Sequence, residues 1–196
     1  FDVYYKKIKP EKNFFFYALF VSFFPQLVAG PIEKADNLLP QLKNKLNFDY
    51  DRLREGGLLI ASGLFKKVVI SDSLYVLITP IFADPQGHSG LVLSLAAILG
   101  RYQIFCDFSG YTDIALGSAK ILGIDLTNNF NRPFFAKSIV EYWRRWHITL
   151  AGWIREYIYF PLVASPLGKL GLYFNLILAF IILGLWHGAT VNFIIY

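Results

Sequence analysis

The sequence feature that most constrains the fold is the run from Leu170 to Tyr196, LGLYFNLILAFIILGLWHGATVNFIIY, which contains no Asp, Glu, Lys or Arg. As a helix rising about 1.5 Å per residue, this run is long enough to cross a hydrocarbon core of about 30 Å. A polar group in such a span needs a partner or a wet cavity, because lipid offers it no hydrogen bonds. The run therefore predicts a membrane span, and it directs attention to its one histidine, His187.

His187 is a functional candidate because ionisable residues inside spans are rare and commonly mark a site. The small residues Gly184, Gly188 and Ala189 lie near it, and small residues allow another helix or a substrate chain to approach the backbone closely. The alternative interpretation is a histidine that only supports packing through an interhelical hydrogen bond. Both interpretations stay open from this run alone.

Composition places the chain among integral membrane proteins. It is 55% hydrophobic and 17% charged, against about 25% charged residues in a soluble domain. The sequence has no Met and stops at Tyr196 within an apolar run, so we expect a fragment of a longer polytopic protein. The net charge of +5 favours basic loops that face anionic lipid and the cytoplasm over nucleic-acid binding. The lone Cys106 and the histidines at 88, 147 and 187 have no zinc-site spacing, so we expect no metal.

Two other apolar stretches are interrupted in informative ways. Phe14 to Gly30 is uncharged and predicts one span or one re-entrant helix, which its internal proline kinks or ends. Residues 56–82 are apolar, but Lys66, Lys67 and Asp72 lie at their centre. This stretch predicts two shorter helices or one interfacial helix, with both lysines snorkelling to lipid head groups.

A third apolar stretch leads into two carboxylates, Asp107 and Asp113. Charges at membrane depth are costly, so these residues need Arg101, hydroxyl groups or a water-filled cavity nearby. The alternative is a hydrogen-bonded turn in which Ser109 and Gly110 break the helix, with no direct chemical role for the carboxylates. The sequence leaves both alternatives open.

The stretch from Ser138 to Phe160 combines aromatic and basic residues. Ser138 and Glu141 have capping-box spacing and predict the start of a helix. Glu141 and Arg145 are four residues apart and predict an ion pair on one face. His147 lies beside the aromatic residues, where a histidine is more often structural than catalytic. The residues predicted to line the aromatic face are Trp143, Trp146, Leu150, Trp153 and Tyr157, a pattern that suits a membrane interface.

Several motifs together resemble one family. In chain order they are FFPQLVAGPIEK at 23–34, GLFKKVVISD at 63–72, QIFCDFSGYTDIALG at 103–117, NFNRPFFAKSI at 129–139, EYWRRWHITLAGWIREYIYFPL at 141–162 and LWHGAT at 185–190. These motifs resemble the membrane-bound O-acyltransferase family, in its bacterial alginate O-acetyltransferase-like branch. The resemblance covers nearly the whole chain, with the motifs in the expected order.

The resemblance implies an all-α polytopic membrane protein with transmembrane and re-entrant helices around a central pore. Residues 1–196 would form a single catalytic core fragment, lacking the N-terminal and C-terminal helices of the full protein. The family histidine that follows a tryptophan maps to His187, and a second family position maps to His147. The two lie 40 residues apart, as the family pattern requires.

The implied activity is transfer of an acyl group, expected to be acetyl, from a thioester such as acetyl-CoA to hydroxyl groups of an extracellular polysaccharide such as an alginate-like polymer. His187 would be the general base, since a neutral imidazole accepts protons near neutral pH. His147 would orient the acceptor or bind the donor. No bound cofactor is expected. The chain has no nucleophile-elbow pattern, and direct transfer needs no Ser or Cys nucleophile.

Further residues are predicted to bind substrate: Trp146, Trp186, Arg144, Arg145, Asp107 and Asp113. Lipid head groups explain the two arginines equally well. Expected partners are membrane lipid and a polysaccharide acceptor, reached through a periplasmic or extracellular partner acyltransferase, and the expected location is the bacterial inner membrane with several spans. Related alternatives are D-alanyl transfer to teichoic acid and O-acetylation of peptidoglycan. A polytopic transporter or a non-catalytic scaffold is the alternative from another class.

Overall fold

Helices form most of the chain in the computed structural model, which describes residues 1–45, 47–188 and 190–194. These residues contain no β-strand, and their one extended pairing is an isolated antiparallel bridge between Phe130 and Trp146. The predicted all-α class is therefore confirmed. The chain divides into two compact units, Phe1–Asn129 and Phe130–Tyr196. The single catalytic core predicted for residues 1–196 stays a prediction.

The first unit is built on a long helical hairpin. Its helices are α1 (Phe14–Ser22), α2 (Ala35–Lys43), α3 (Tyr50–Leu64), α4 (Asp72–Ala83) and α5 (Gly90–Ile121). A π-helical segment, Phe65–Ser71, joins α3 directly to α4. Asp49 caps this stretch, because its side chain accepts hydrogen bonds from the backbone N–H groups of Asp51 (2.9 Å) and Arg52 (3.2 Å). Of the two alternatives predicted for residues 56–82, the structure has two helices, joined without a break.

α5 continues without interruption for 32 residues through the polar sequence between Asp107 and Asp113. The alternative in which Ser109 and Gly110 break the helix is therefore wrong. Both residues are buried, and a Cβ added at Gly110 would lie 2.7 Å from the carbonyl oxygen of Gly63 on α3. The small residues in this sequence make room for a neighbouring backbone, which is their common role in tightly packed membrane helices.

Four glycines set the separation between α3 and α5. A Cβ added at Gly56 would lie 2.6 Å from the carbonyl oxygen of Gly117, and one added at Gly63 would lie 2.5 Å from that of Gly110. The glycines on each helix are seven residues apart, and the pairing runs in opposite directions along the two helices. The two backbones are therefore in direct contact at both glycine pairs, which are about two helical turns apart.

Three ion pairs join the same two helical stretches. Lys66 Nζ lies 2.6 Å from Asp113 Oδ2, Lys67 pairs with Asp107, and Lys120 pairs with Glu55. The predicted snorkelling of Lys66 and Lys67 to lipid head groups is therefore wrong. In a medium of low dielectric constant an ammonium group gains more from a nearby carboxylate than it does in water. The pairing also provides the partners that the two aspartates of α5 require.

A small apolar core lies where α5 ends. Phe23, Leu38, Ala119 and Ile124 are buried together there. The buried carboxylate of Glu33 fastens the following loop to this core, because it accepts hydrogen bonds from Asn37 Nδ2 (2.6 Å) and from the backbone N–H of Thr127. The FFPQLVAGPIEK segment therefore packs against the end of the long helix in the first unit.

The second unit consists of short helices and one longer apolar helix. They are α6 (Ile139–Trp143), α7 (Ile148–Ile154), α8 (Phe160–Ala164), α9 (Leu172–His187) and α10 (Val191–Ile194). A π-helical segment, Arg155–Tyr159, joins α7 to α8. Within this unit α6 and α9 touch through the rings of Trp143 and Phe180, whose centroids are 5.4 Å apart at an interplanar angle of 66°.

Among the described residues, α5 is the one helix that is long and apolar enough to cross a membrane. The stretches Phe14–Gln26 and Leu172–His187 are apolar but shorter. The predicted span over residues 170–196 is wrong in extent. α9 has 16 residues, about 24 Å at 1.5 Å per residue, and His187 is its last residue and does not lie inside it. The prediction of several crossing or re-entrant helices stays a prediction.

The glycine contacts predict a large difference between two adjacent substitutions on α3. Gly56→Ala places a methyl group against the carbonyl of Gly117, and such overpacking costs about 1–3 kcal/mol. Gly57 has nothing within 4 Å of the added Cβ, so Gly57→Ala should keep or slightly raise stability, as alanine favours helix. Thermal unfolding of the full-length protein in detergent measures the difference. Equal stability of the two variants would contradict the close helix contact.

The Lys66–Asp113 pair predicts a non-additive pair of substitutions. Asp113→Leu leaves the ammonium of Lys66 without its carboxylate and should destabilise the protein by about 3–5 kcal/mol, whereas Lys66→Met combined with Asp113→Leu should restore much of this loss. The half-exposed pair of Arg52 and Asp125 is the control, since Asp125→Asn should cost at most about 1 kcal/mol. Chemical unfolding of five proteins tests this: the unaltered protein, Lys66→Met, Asp113→Leu, the double variant and Asp125→Asn. Additive effects of the substitutions at Lys66 and Asp113 would refute the prediction.

Candidate active site

The first element of the candidate site in the second unit is the capped helix α6. The Ser138 hydroxyl oxygen accepts a hydrogen bond from the backbone N–H of Glu141 (3.1 Å), so the predicted start of α6 is confirmed. The Glu141 carboxylate accepts from the backbone N–H of Lys137 (2.7 Å) and from the guanidinium of Arg145 (2.6 Å), which confirms the predicted ion pair. The Lys137 N–H, and next the Arg145 guanidinium, lower the pKa of Glu141.

The chain turns sharply directly after α6. The helix ends at Trp143, and His147 has left-handed backbone angles, φ 44° and ψ 55°, before α7 begins at Ile148. The continuous aromatic face predicted from Trp143 to Tyr157 is therefore wrong, because two helices divide this stretch. A left-handed conformation is costly for a residue with a side chain, and such residues occur preferentially at functional sites.

An extended segment holds this turn in place. The backbone N–H of Asn131 donates to the carbonyl of Arg145 (2.9 Å), and Phe130 bridges to Trp146. Trp146 is 6% exposed. Its ring stacks on Tyr142 with centroids 5.8 Å apart at 14°, and it meets Phe130 edge-on at 5.1 Å and 79°. This aromatic packing fixes the residue that precedes His147.

His147 is partly buried in this turn. Burial, followed by the charge that a protonated His187 would carry, lowers the pKa of His147 to about 4. Both effects act in the same direction because each disfavours the imidazolium form. The imidazole of His147 is therefore neutral at pH 7, and its two nitrogens offer one hydrogen-bond donor and one acceptor.

His187 lies at the exposed end of α9. Its ring lies 5.0 Å from the Trp186 ring at 67° and is nearly parallel to the Phe193 ring at 6.2 Å and 19°. Gly188 makes room for this arrangement, since a Cβ there would lie 2.7 Å from the Phe193 ring. The imidazole is thus held between two aromatic rings while it stays accessible.

The structure separates the residues predicted to bind substrate into three groups. Trp146 is buried, and Arg145 is paired with Glu141. Trp186 and Arg144 are exposed in the same unit as both histidines. Asp107 and Asp113 lie on α5 in the first unit and pair with lysines. Their roles in substrate binding stay predictions.

Sequence reasoning missed the partners of the acidic residues on α5 and the segment that holds the turn. A signal for these partners was available in the sequence. Lys66 and Lys67 lie in one apolar stretch and two aspartates lie in another, and opposite charges in apolar stretches are expected to pair. Phe130 and Tyr142, which enclose Trp146, had no such signal because ring packing depends on the turn. Among the described residues there is no cluster of three or more His, Cys, Asp or Glu side chains that could hold a metal ion.

Comparison with known proteins gives consistent similarities. The profile described as MBOAT, membrane-bound O-acyltransferase family, matches residues 5–196. A peptidoglycan O-acetyltransferase from Helicobacter pylori is 44% identical over 191 residues, which cover 94% of this chain and 35% of that protein. A probable alginate O-acetylase from Pseudomonas syringae pv. tomato is 38% identical over 195 residues, which cover 100% of this chain and 37% of that protein.

A more distant similarity is found to a teichoic acid D-alanyltransferase from Bacillus subtilis. It is 30% identical over 194 residues, which cover 90% of this chain and 47% of that protein. The chain thus spans between 35% and 47% of the length of these three relatives. The matched region contains both histidines of the second unit.

The lowered pKa of His147 predicts a pH-dependent stability. Between about pH 6.5, the ordinary value of an unfolded histidine, and pH 4, the unfolded chain binds a proton that the folded chain does not. His147 therefore makes stability fall as the pH falls through this window, and it has no such effect above it. Unfolding of the full-length protein from pH 4 to 8 should show a weaker decline for His147→Gln. Identical pH dependence in both proteins would contradict the lowered pKa.

Proposed function

The chain belongs to the membrane-bound O-acyltransferase family, and from this premise we propose that the full-length protein transfers an acetyl group from a thioester donor to hydroxyl groups of a polysaccharide. The observation that carries this proposal is the family match over residues 5–196, which includes both histidines. The relatives with 44% and 38% identity are named for O-acetyl transfer. Acetyl is therefore the favoured acyl group.

In this proposal His187 is the general base. Its imidazole accepts the proton of the acceptor hydroxyl while the hydroxyl oxygen attacks the thioester carbonyl carbon. The carbon–sulfur bond then breaks, and the departing thiolate takes the proton from the imidazolium. General-base assistance of this kind contributes about 10² to 10⁴ in rate. The exposed position of His187 at the end of α9 supports access by a substrate.

His147 has a different role in this proposal. Its imidazole is neutral at pH 7 because of the lowered pKa, so it can donate one hydrogen bond to a substrate oxygen without competing for the transferred proton. The left-handed backbone at this residue and the packed Trp146 ring give it a fixed position. It would therefore orient the acceptor hydroxyl or the donor carbonyl.

The acceptor is proposed to be an alginate-like polymer or the glycan of peptidoglycan. The probable alginate O-acetylase covers the whole chain, and the peptidoglycan O-acetyltransferase has the higher identity. The donor would be acetyl-CoA or another acetyl thioester, and a periplasmic or extracellular acyltransferase would be a partner of the protein at the polymer. The protein would lie in the bacterial inner membrane and cross it several times.

D-alanyl transfer to teichoic acid is the second candidate. The similarity to the teichoic acid D-alanyltransferase supports it, although the identity is 30%. Both activities transfer an acyl group to a hydroxyl, so the same base would serve them. Chemical analysis of the host's polymers for ester-linked acetate and alanine, with and without the gene, distinguishes the two candidates.

Substitution of His187 tests the proposed base. His187→Ala in the full-length protein should keep its folded amount in the membrane, while acetyl transfer falls by at least about two orders of magnitude because the proton acceptor is lost. His88→Ala is the matched control, since His88 is an exposed histidine in the first unit and should retain activity. Transfer is measured as ester-linked acetate formed on the polymer.

A packing role for His187 makes the opposite forecast. An interhelical hydrogen bond contributes about 0.6–2 kcal/mol, so its loss would lower the amount of folded protein and leave the rate per folded molecule nearly unchanged. A well-folded His187→Ala variant with near-normal transfer would therefore remove the assignment of His187 as the base.

A further inference from the structure

The turn that carries His147 has an excess of positive charge. Residues 130–147 contain four basic side chains and one acidic side chain. The acidic residue, Glu141, is already engaged by Arg145 and by the backbone of Lys137. The side chains of Arg132, Lys137 and Arg144 are exposed and form no hydrogen bond or ion pair with another residue in the described part of the chain. The cationic groups therefore outnumber their protein partners in this segment.

The extended bridge brings the backbones of two of these arginines, Arg132 and Arg144, close together. Asn131 donates its backbone N–H to the carbonyl of Arg145 at 2.9 Å. Arg132 directly follows Asn131, and Arg144 directly precedes Arg145. The two arginines are thus each one residue away from a shared hydrogen bond, on antiparallel segments. His147 follows in the same turn, two residues after Arg145.

We propose that Arg132 and Arg144 form an anion-binding site beside His147, which takes a phosphate or carboxylate group of a substrate. This inference rests on the proposed acyl transfer and adds a charge requirement to it. The planar guanidinium group binds carboxylate and phosphate oxygens through two parallel hydrogen bonds. Two such positive groups also attract an anion over a distance.

The backbone of this site is fixed before any ligand arrives. Arg132 has left-handed backbone angles, φ 46° and ψ 58°, and the residue after it, Pro133, is buried. On the opposite segment, Trp146 is clamped between Tyr142 and Phe130. A fixed backbone reduces the conformational entropy that is lost when the two side chains bind an anion. Arg132 and His147 both have this left-handed conformation. They are two of only four non-glycine residues with positive φ in the described part of the chain.

The neighbouring arginine has a different function. The guanidinium of Arg145 lies 2.6 Å from the carboxylate of Glu141, four residues earlier in the chain, so its charge is neutralised within the protein. The two adjacent arginines of the sequence RRWH, Arg144 and Arg145, thus have different functions in this proposal. Arg145 stabilises the turn, and Arg144 is available to a ligand.

Two substrates can supply the anion, and their kinetics distinguish them. A thioester donor of the coenzyme type carries phosphate groups, and an acceptor polymer can carry carboxylate or phosphate groups. Arg132→Gln, Arg144→Gln and the double variant should each raise the KM of whichever substrate supplies the anion by about ten- to hundredfold, the usual contribution of a charged hydrogen bond, with little change in kcat. The KM of the other substrate should stay unchanged.

The measurement uses the full-length protein in vesicles of zwitterionic phosphatidylcholine, so that no lipid anion competes. Arg54→Gln is the matched control, because Arg54 is an exposed arginine on α3 that also forms no ion pair within the described chain. It should leave both KM values unchanged. In parallel, calorimetric titration with inorganic pyrophosphate should give at least tenfold weaker binding for the double variant than for the unaltered protein and Arg54→Gln.

The titration separates failure of this inference from failure of the proposed activity. If the unaltered protein transfers no acyl group but binds pyrophosphate through Arg132 and Arg144, the anion site stands and the activity is wrong. Unchanged KM values together with unchanged pyrophosphate binding in the double variant would overturn the site. An effect that appears only in vesicles containing anionic lipid would also overturn it, since the arginines would then contact head groups and not a substrate.

Discussion

The first unit depends on the direct contact between the backbones of α3 and α5. Glycines at 56, 63, 110 and 117 let carbonyl oxygens of the facing helix come close, and the charged residues beside this contact are paired across the two helices. The two features support each other. Close backbones bring each ammonium within reach of its carboxylate, and the paired charges make it possible to keep polar residues in an otherwise apolar helix.

In the second unit the organising element is a turn. A capped short helix, an ion pair and an extended bridge all converge on the few residues before His147. None of these contacts involves the imidazole itself, yet together they determine where it lies. The histidine at the end of α9 is held differently, by two aromatic rings and by a glycine that admits one of them. One histidine is therefore positioned by its backbone, the other by its neighbours.

The sequence predicted the helical class, the cap at Ser138 and the pair of Glu141 with Arg145, because these depend on residues three or four positions apart. Prediction from the sequence failed where contacts between segments far apart in the chain determine the structure. Lys66 and Lys67 turn to α5 and not to lipid, and the helix through Trp143 divides because residues 130–132 engage the following turn. The roles proposed for His147 and His187 came from the resemblance to a family, since composition and periodicity mark a histidine as unusual without assigning it a function.

The glycine contact between α3 and α5 also has a mechanical consequence. Each carbonyl oxygen fits a position that only hydrogen can occupy, so a small displacement along the helix axis would drive a side chain into the opposing backbone. The next register that places glycine against glycine is seven residues away, about 10 Å along the axis. The glycine contacts therefore oppose gradual sliding of α3 along α5. Sliding of α3 along α5 would have to proceed in one large step.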